Sequence, residues 1–156
     1  MLSKQIKEIF QDHYPINFPI KLKSNDFKLL LDFIYDPRNS SLGDSLANFV
    51  YSLSKSISAN EILADKIADK IMVDGFQNSK LASILPLKGK RKNIGNFLES
   101  LILFIWVFDL LTVEEMVVRI QEKLDPNAFS SPVSEYHTAS FAFTRLFDIF
   151  HDLLFY

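Results

Sequence analysis

Three polar side chains lie in segments of the chain that are otherwise apolar. Asp44 stands between Leu42 and Leu46, and Asn96 and Glu99 open the most apolar stretch of the sequence. Because Asn96 and Glu99 are three residues apart, their side chains share one face of a helix. A carboxylate in such surroundings is costly unless it is paired, hydrogen-bonded or bound to a cation.

These carboxylates have two interpretations. In the first, Asp44 and Glu99 only stabilise the N-terminal ends of their helices through the helix dipole. In the second, the two helices cross and bring the carboxylates of Asp44 and Glu99 to one Mg²⁺ or Mn²⁺, ions that take oxygen ligands and keep several waters. A metal ion held in this way activates water for cleavage of a phosphodiester bond.

The densest basic cluster of the chain lies directly before the helix that carries Glu99. It consists of Lys88, Lys90, Arg91 and Lys92. Such a cluster is either a solvated loop or a contact for phosphate groups, each of which would add salt-dependent affinity. Its closeness to Glu99 along the chain favours phosphate binding.

Apolar residues recur at helical spacing along the chain, which predicts an all-α fold. Eight helices are predicted. Four are given by ranges alone: about 2–12, 79–85, 93–110, and 135 to the C-terminus. The other four begin at a capping residue: one among 24–26 (helix to 35), Ser40 or Ser41 (to about 56), Asn60 (to about 72) and Thr112. The stretch 93–110 is too apolar for a surface helix and is therefore predicted to be the buried central helix.

The last predicted helix is rich in phenylalanine. Its apolar stripe should pack on the core and consists of Phe143, Phe147, Phe150 and Leu154. Phe141, Phe155 and Tyr156 widen this stripe beyond what one core face needs. The surplus indicates a surface for a dimer or another partner.

Composition and length favour one domain over residues 1–156. The chain is 48% apolar, has no cysteine and carries a net charge of −2, so disulfide scaffolds and globally basic nucleic-acid binders are disfavoured. The longest apolar run, 101–108, is much shorter than the ~20 residues that span a bilayer. With no signal peptide visible, a cytoplasmic protein without a membrane role is expected.

Three short motifs, in order, resemble the catalytic domain of the ribonuclease III family, and especially its small single-domain archaeal members. Leu42-Gly43-Asp44-Ser45-Leu46 is similar to the start of the family's signature helix, and residues 78–82 (NSKLA) resemble its short Asn-x-x-Leu-Ala segment. Asn96-Phe97-Leu98-Glu99 falls where the family carries Asp-x-x-Glu. The resemblance is strongest over about 25–120, and no double-stranded-RNA-binding domain is expected after it.

The resemblance implies a ribonuclease III-like helical domain that cleaves structured or double-stranded RNA. In it, Asp44, Glu99 and Asn96 would hold Mg²⁺ or Mn²⁺, and Lys88, Lys90, Arg91 and Lys92 would contact RNA. It also implies a homodimer paired through the signature helix, about 41–56. A-form RNA would then be recognised by shape, phosphates and 2′-hydroxyls.

Two departures from the family pattern leave a second function open. Ser40 stands where the fullest signature has Glu, and Asn96 stands where the family has Asp. An Asn carbonyl can ligate Mg²⁺ but brings no negative charge. The chain is therefore either a metal-dependent endoribonuclease or a catalytically degenerate relative that binds RNA or a ribonucleoprotein. A third, weaker option is a protein-interaction module that uses the Phe-rich last helix.

Overall fold

The computed structural model describes residues 2–15, 22 and 27–155, and over these it is an all-α domain. Its helices are α1 (Leu2–His13), α2 (Phe27–Tyr35), α3 (Pro37–Ala59), α4 (Asp69–Gln77), α5 (Arg91–Val107), α6 (Val113–Gln121) and α7 (Pro132–Leu154). Short 3₁₀ turns cover Lys80–Ser83 and Pro126–Ser130. The predicted cap among residues 24–26 lies outside the described residues.

Helix α5 is the centre of the domain, as the sequence predicts for 93–110. Its residues from Leu98 to Ile105 are all buried, because α2, α3 and α4 pack around it. Helix α7 packs on α4 and α6, and its predicted stripe is fully buried. Among the residues added to that stripe, Phe155 is buried and Phe141 is exposed, whereas Tyr156 lies outside the described residues.

Helix α3 begins one turn earlier than a cap at Ser40 or Ser41 would place it. Asp36 is the N-cap, its side chain accepts a hydrogen bond from the Arg38 backbone N–H at 3.0 Å, and Pro37 occupies the first helical position. A proline is well tolerated there because its fixed φ suits the helix and no N–H is needed. Asp44 consequently lies two turns inside α3, not at its start.

The segment after α3 is extended, which contradicts the predicted helix from Asn60 to about residue 72. Asn60 ends α3 in the left-handed conformation (φ 53°), and residues 61–68, which we call the strap, run back along α3. Every fourth α3 side chain binds the backbone of every second strap residue: Ser56 with Leu63, Ser52 with Asp65, and Asn48 with Ile67. These tertiary hydrogen bonds override the local apolar pattern of the segment.

The remaining helix boundaries follow local signals. Helix α6 starts at its predicted cap, Thr112, which forms a capping box with Glu115 through both reciprocal hydrogen bonds. Helix α7 begins at Pro132 behind the N-cap Ser131. In the described part of the chain, no helix combines the length and the hydropathy needed to cross a membrane.

Candidate active site

Helices α3 and α5 touch backbone to backbone at Gly43. A Cβ built on Gly43 would lie 2.1 Å from the carbonyl oxygen of Glu99, so any side chain at this position would force the helices apart. This close contact sets Asp44, the next residue of α3, against Glu99 of α5. The glycine of the Leu-Gly-Asp motif is therefore a helix-crossing residue.

Glu99 is a buried carboxylic acid with acidic neighbours. Glu99 is only 5% exposed to solvent. Burial first, and then the negative charges of Asp44 and Asp69 and a hydrogen bond with Asp44, raise the pKa of Glu99 to about 8. At neutral pH the group is therefore mostly protonated in the absence of a cation.

Asp44 is oriented by a short polar relay. Its Oδ1 accepts a hydrogen bond from the Asn48 side-chain amide at 3.0 Å, one turn further along α3. The side-chain oxygen of Asn48, Oδ1, in turn accepts a hydrogen bond from the backbone N–H of Ile67 at 2.8 Å. The relay thus ties the Asp44 carboxylate to the end of the strap.

Asp69 is a site residue that the sequence-based prediction missed. It is the first residue of α4, directly after the strap, and its carboxylate lies against α5 at Gly95. A Cβ built on Gly95 would lie 3.0 Å from Oδ1 of Asp69, so the glycine leaves room for this approach. The one sequence signal for this arrangement is the row of polar residues at 48, 52 and 56 on one face of α3.

Asn96 joins the site through its place on α5, one turn before Glu99. It is half-buried, and its side chain has no hydrogen-bond partner within the described residues. Ser40, on the other helix, donates its hydroxyl to the carbonyl of Pro37 at 3.0 Å and stays within its own turn. Neither residue adds negative charge to Asp44 and Glu99.

The helix-dipole interpretation of the two carboxylates is not supported. Asp44 is the eighth residue of α3 and Glu99 the ninth of α5. The dipole effect falls off within the first turn of a helix. Instead, the two helices cross at these residues, as the second interpretation requires.

The carboxylates are neighbours, but they are not arranged as a closed metal cage. Over residues 2–15, 22 and 27–155, no three acidic or histidine side chains lie at the spacing of a metal site. The four residues of the predicted basic cluster are all exposed around the start of α5, where Lys90 is the N-cap. Their contact with RNA stays a prediction.

The sequence matches the Ribonuclease III family model over residues 39–154. The chain belongs to the ribonuclease III family. The match contains Asp44, Asp69, Asn96 and Glu99, and it extends past the resemblance at 25–120 to the end of α7. No curated protein is similar enough to the chain to count as a match.

Membership of the ribonuclease III family supports a ribonuclease III-like function with RNA as the partner. The likeness to archaeal members in particular stays a prediction.

Proposed function

We propose that this protein is a metal-dependent endoribonuclease that cleaves structured or double-stranded RNA. The observation that carries the proposal is the pairing of Asp44 with the buried Glu99 at the α3–α5 crossing. Asp44 and Glu99 would hold Mg²⁺ or Mn²⁺, and Asn96 would be a weaker ligand or would orient a water.

The donor set suits a hard divalent cation. All the donors are oxygen atoms, and Mg²⁺ typically takes one or two protein carboxylates and keeps several waters. A bound cation would also lower the pKa of Glu99, because its positive charge would offset the repulsion from the neighbouring carboxylates. Glu99 would then lose its proton and become available as a ligand. The open arrangement of the carboxylates is compatible with a largely hydrated ion.

The residues of this chain would prepare the site for phosphodiester cleavage. A bound Mg²⁺ supplies charge stabilisation at the phosphate and a more acidic water. Asn48 holds the Asp44 carboxylate in place, and burial keeps Glu99 away from bulk water. Lys88, Lys90, Arg91 and Lys92 are exposed where the RNA backbone would approach α5, and each would neutralise phosphate charge.

We further propose that the protein is a homodimer through α3. One face of this helix carries an exposed apolar stripe that the domain does not cover, formed by Leu42, Phe49, Leu53 and Ile57. Contiguous exposed apolar surface of this kind is typical of a protein interface. The stripe lies on the same helix as Asp44, so a dimer would put two sites along one RNA-binding surface.

Phe49→Glu should convert the dimer to a monomer, because it places a charge in the middle of the stripe. Phe49 is 55% exposed, so the change should leave the fold intact. Sedimentation equilibrium would measure the mass in solution. Val133→Glu, at an exposed residue in the first turn of α7, is the control and should stay dimeric. A monomeric wild-type protein at high concentration would rule out the homodimer.

The second candidate function is a catalytically degenerate subunit that binds RNA or a ribonucleoprotein. It is favoured by Asn96 and Ser40, which bring no charge where the family pattern has acids. The absence of a three-carboxylate metal spacing among the described residues points the same way.

The two candidates differ in an RNA-cleavage assay with Mg²⁺ or Mn²⁺. If the protein is an endoribonuclease, wild type cuts structured RNA. Glu99→Gln should then lower the cleavage rate by more than about 100-fold, because losing a residue that only supports a metal ligand already costs about 10- to 100-fold. Glu61→Gln, an exposed change on the strap, is the control and should cut normally. If wild type binds RNA without cutting it and Asn96→Asp gains cleavage, the protein is a disabled relative. Cleavage that survives Glu99→Gln would refute the assignment.

A further inference from the structure

At two positions where the family pattern has acids, this chain has the uncharged residues Ser40 and Asn96. A third carboxylate, that of Asp69, lies next to Asn96 in the structure. Asp69 comes from α4, and its Oδ1 is close enough to the α5 backbone that a Cβ on Gly95 would lie only 3.0 Å away. Gly95 directly precedes Asn96 and lies four residues before Glu99. Asp69 therefore delivers a negative charge to the part of α5 where Asn96 supplies none.

The placement of Asp69 is held by hydrogen bonds from several residues. The strap leads into α4 and is bound to α3 through Ser56, Ser52 and Asn48, the last of which also binds Asp44. Asp44 and Asp69 are thus linked through one side chain and the backbone at Ile67. The charge of Asp69 also acts on Glu99, whose side chain is more than nine-tenths buried.

We infer that Asp69 is the positioning carboxylate that replaces the family's Asp at position 96, drawing a divalent cation to Asp44 and Glu99. This inference rests on the proposed metal site. Because no three carboxylates share metal-ligand spacing in the described residues, Asp69 would act on a bound cation through its charge and through water, not as a direct ligand. Outer partners of this kind typically change metal affinity by about 10- to 100-fold.

The inference is tested by titrating the intact protein with Mn²⁺ and measuring free Mn²⁺ by electron paramagnetic resonance, without RNA. Asp69→Asn keeps the shape of the side chain and should weaken Mn²⁺ binding by about tenfold or more. Asp74→Asn, on the same helix, is the matched control and should bind as wild type does. Adding Asn96→Asp to Asp69→Asn should return most of the lost affinity, because it restores the charge beside Glu99. Thermal melting of each variant checks that it is folded.

The possible results separate this inference from the proposed function. If Asp69→Asn binds Mn²⁺ like wild type, or if Asn96→Asp does not restore its affinity, Asp69 does not replace the missing acid. That result leaves the endoribonuclease proposal standing as long as wild type binds Mn²⁺ and cuts RNA. If Asp69→Asn loses affinity and the double variant regains it while wild type cuts no RNA, the inference holds and the endoribonuclease proposal fails. A wild type that binds no Mn²⁺ overturns both.

Discussion

Lys55→Met should lower the free energy of unfolding by about 2–3 kcal/mol, less than the ~3–5 kcal/mol for a fully buried ion pair, because Asp65 and Glu135 stay partly exposed. Lys55 is buried on α3 and pairs with Asp65 of the strap and with Glu135 of α7, the latter at 2.6 Å. Glu135 also accepts the Tyr51 hydroxyl at 3.0 Å. Burial opposes the ammonium charge, but the two carboxylates outweigh it and raise the pKa of Lys55 above its ordinary value.

Urea denaturation at neutral pH would measure this loss. Methionine keeps an unbranched apolar side chain only one atom shorter than that of lysine, so the variant chiefly removes the charge and leaves Asp65 and Glu135 without their common partner. Lys66→Met, at an exposed strap residue, is the control and should change stability by no more than about 0.5 kcal/mol. If the two variants were equally stable, Lys55 would not join the strap to α3 and α7.

Glu99→Gln should make the cation-free protein more stable, and the gain should grow with pH. The pKa of Glu99 rises from 4.5 to about 8 on folding, chiefly through burial. The folded protein therefore has its full stability with respect to this group below about pH 4.5. It loses stability as the pH rises towards 8, because ionising Glu99 is harder in the folded protein than in the unfolded one. At pH 7 the cost is on the order of 3 kcal/mol, and glutamine, which cannot ionise, removes most of it.

The measurement is a series of denaturation curves between pH 5 and 8 in EDTA. Wild type should lose stability relative to Glu99→Gln across this range, whereas Glu61→Gln should parallel wild type. A constant difference between Glu99→Gln and wild type at every pH would mean that Glu99 is not the titrating group. Its pKa would then be nearly the same in the folded and the unfolded protein.

Much of the fold follows from patterns that are local in the sequence. The apolar run of α5, the capping box of Thr112 and the stripe of α7 each arise from neighbours along the chain, and each is predicted correctly. The start of α3 lies before the predicted cap at Ser40 or Ser41, because Asp36 and Pro37 do more than interrupt the helical pattern. The same two residues end α2 and cap α3, since a proline is tolerated in the first turn.

The strap and Asp69 are not predictable in the same way. The apolar residues between Asn60 and Ile71 have nearly helical spacing, yet Ile62 is 95% exposed. Their conformation is decided by hydrogen bonds to side chains of α3, which no local pattern contains. Asp44 and Glu99 could be predicted because each interrupts an apolar helix. Asp69, by contrast, lies among other charged residues, so nothing in the sequence distinguishes it from an ordinary surface acid.

The hydrogen bonds between the strap and α3 imply a constraint on length more than on residue type. Two extended residues advance about 6.6 Å and four helical residues about 6 Å, so the two chains stay in step over Ser56, Ser52 and Asn48. Ala64, Lys66 and Ala68 are exposed and are free to vary. A deletion or insertion of one residue, by contrast, would turn the bonded backbone groups away from α3 and rotate Asp69 off Gly95. Among homologues of this protein, the number of residues from 61 to 68 should accordingly vary less than their identities.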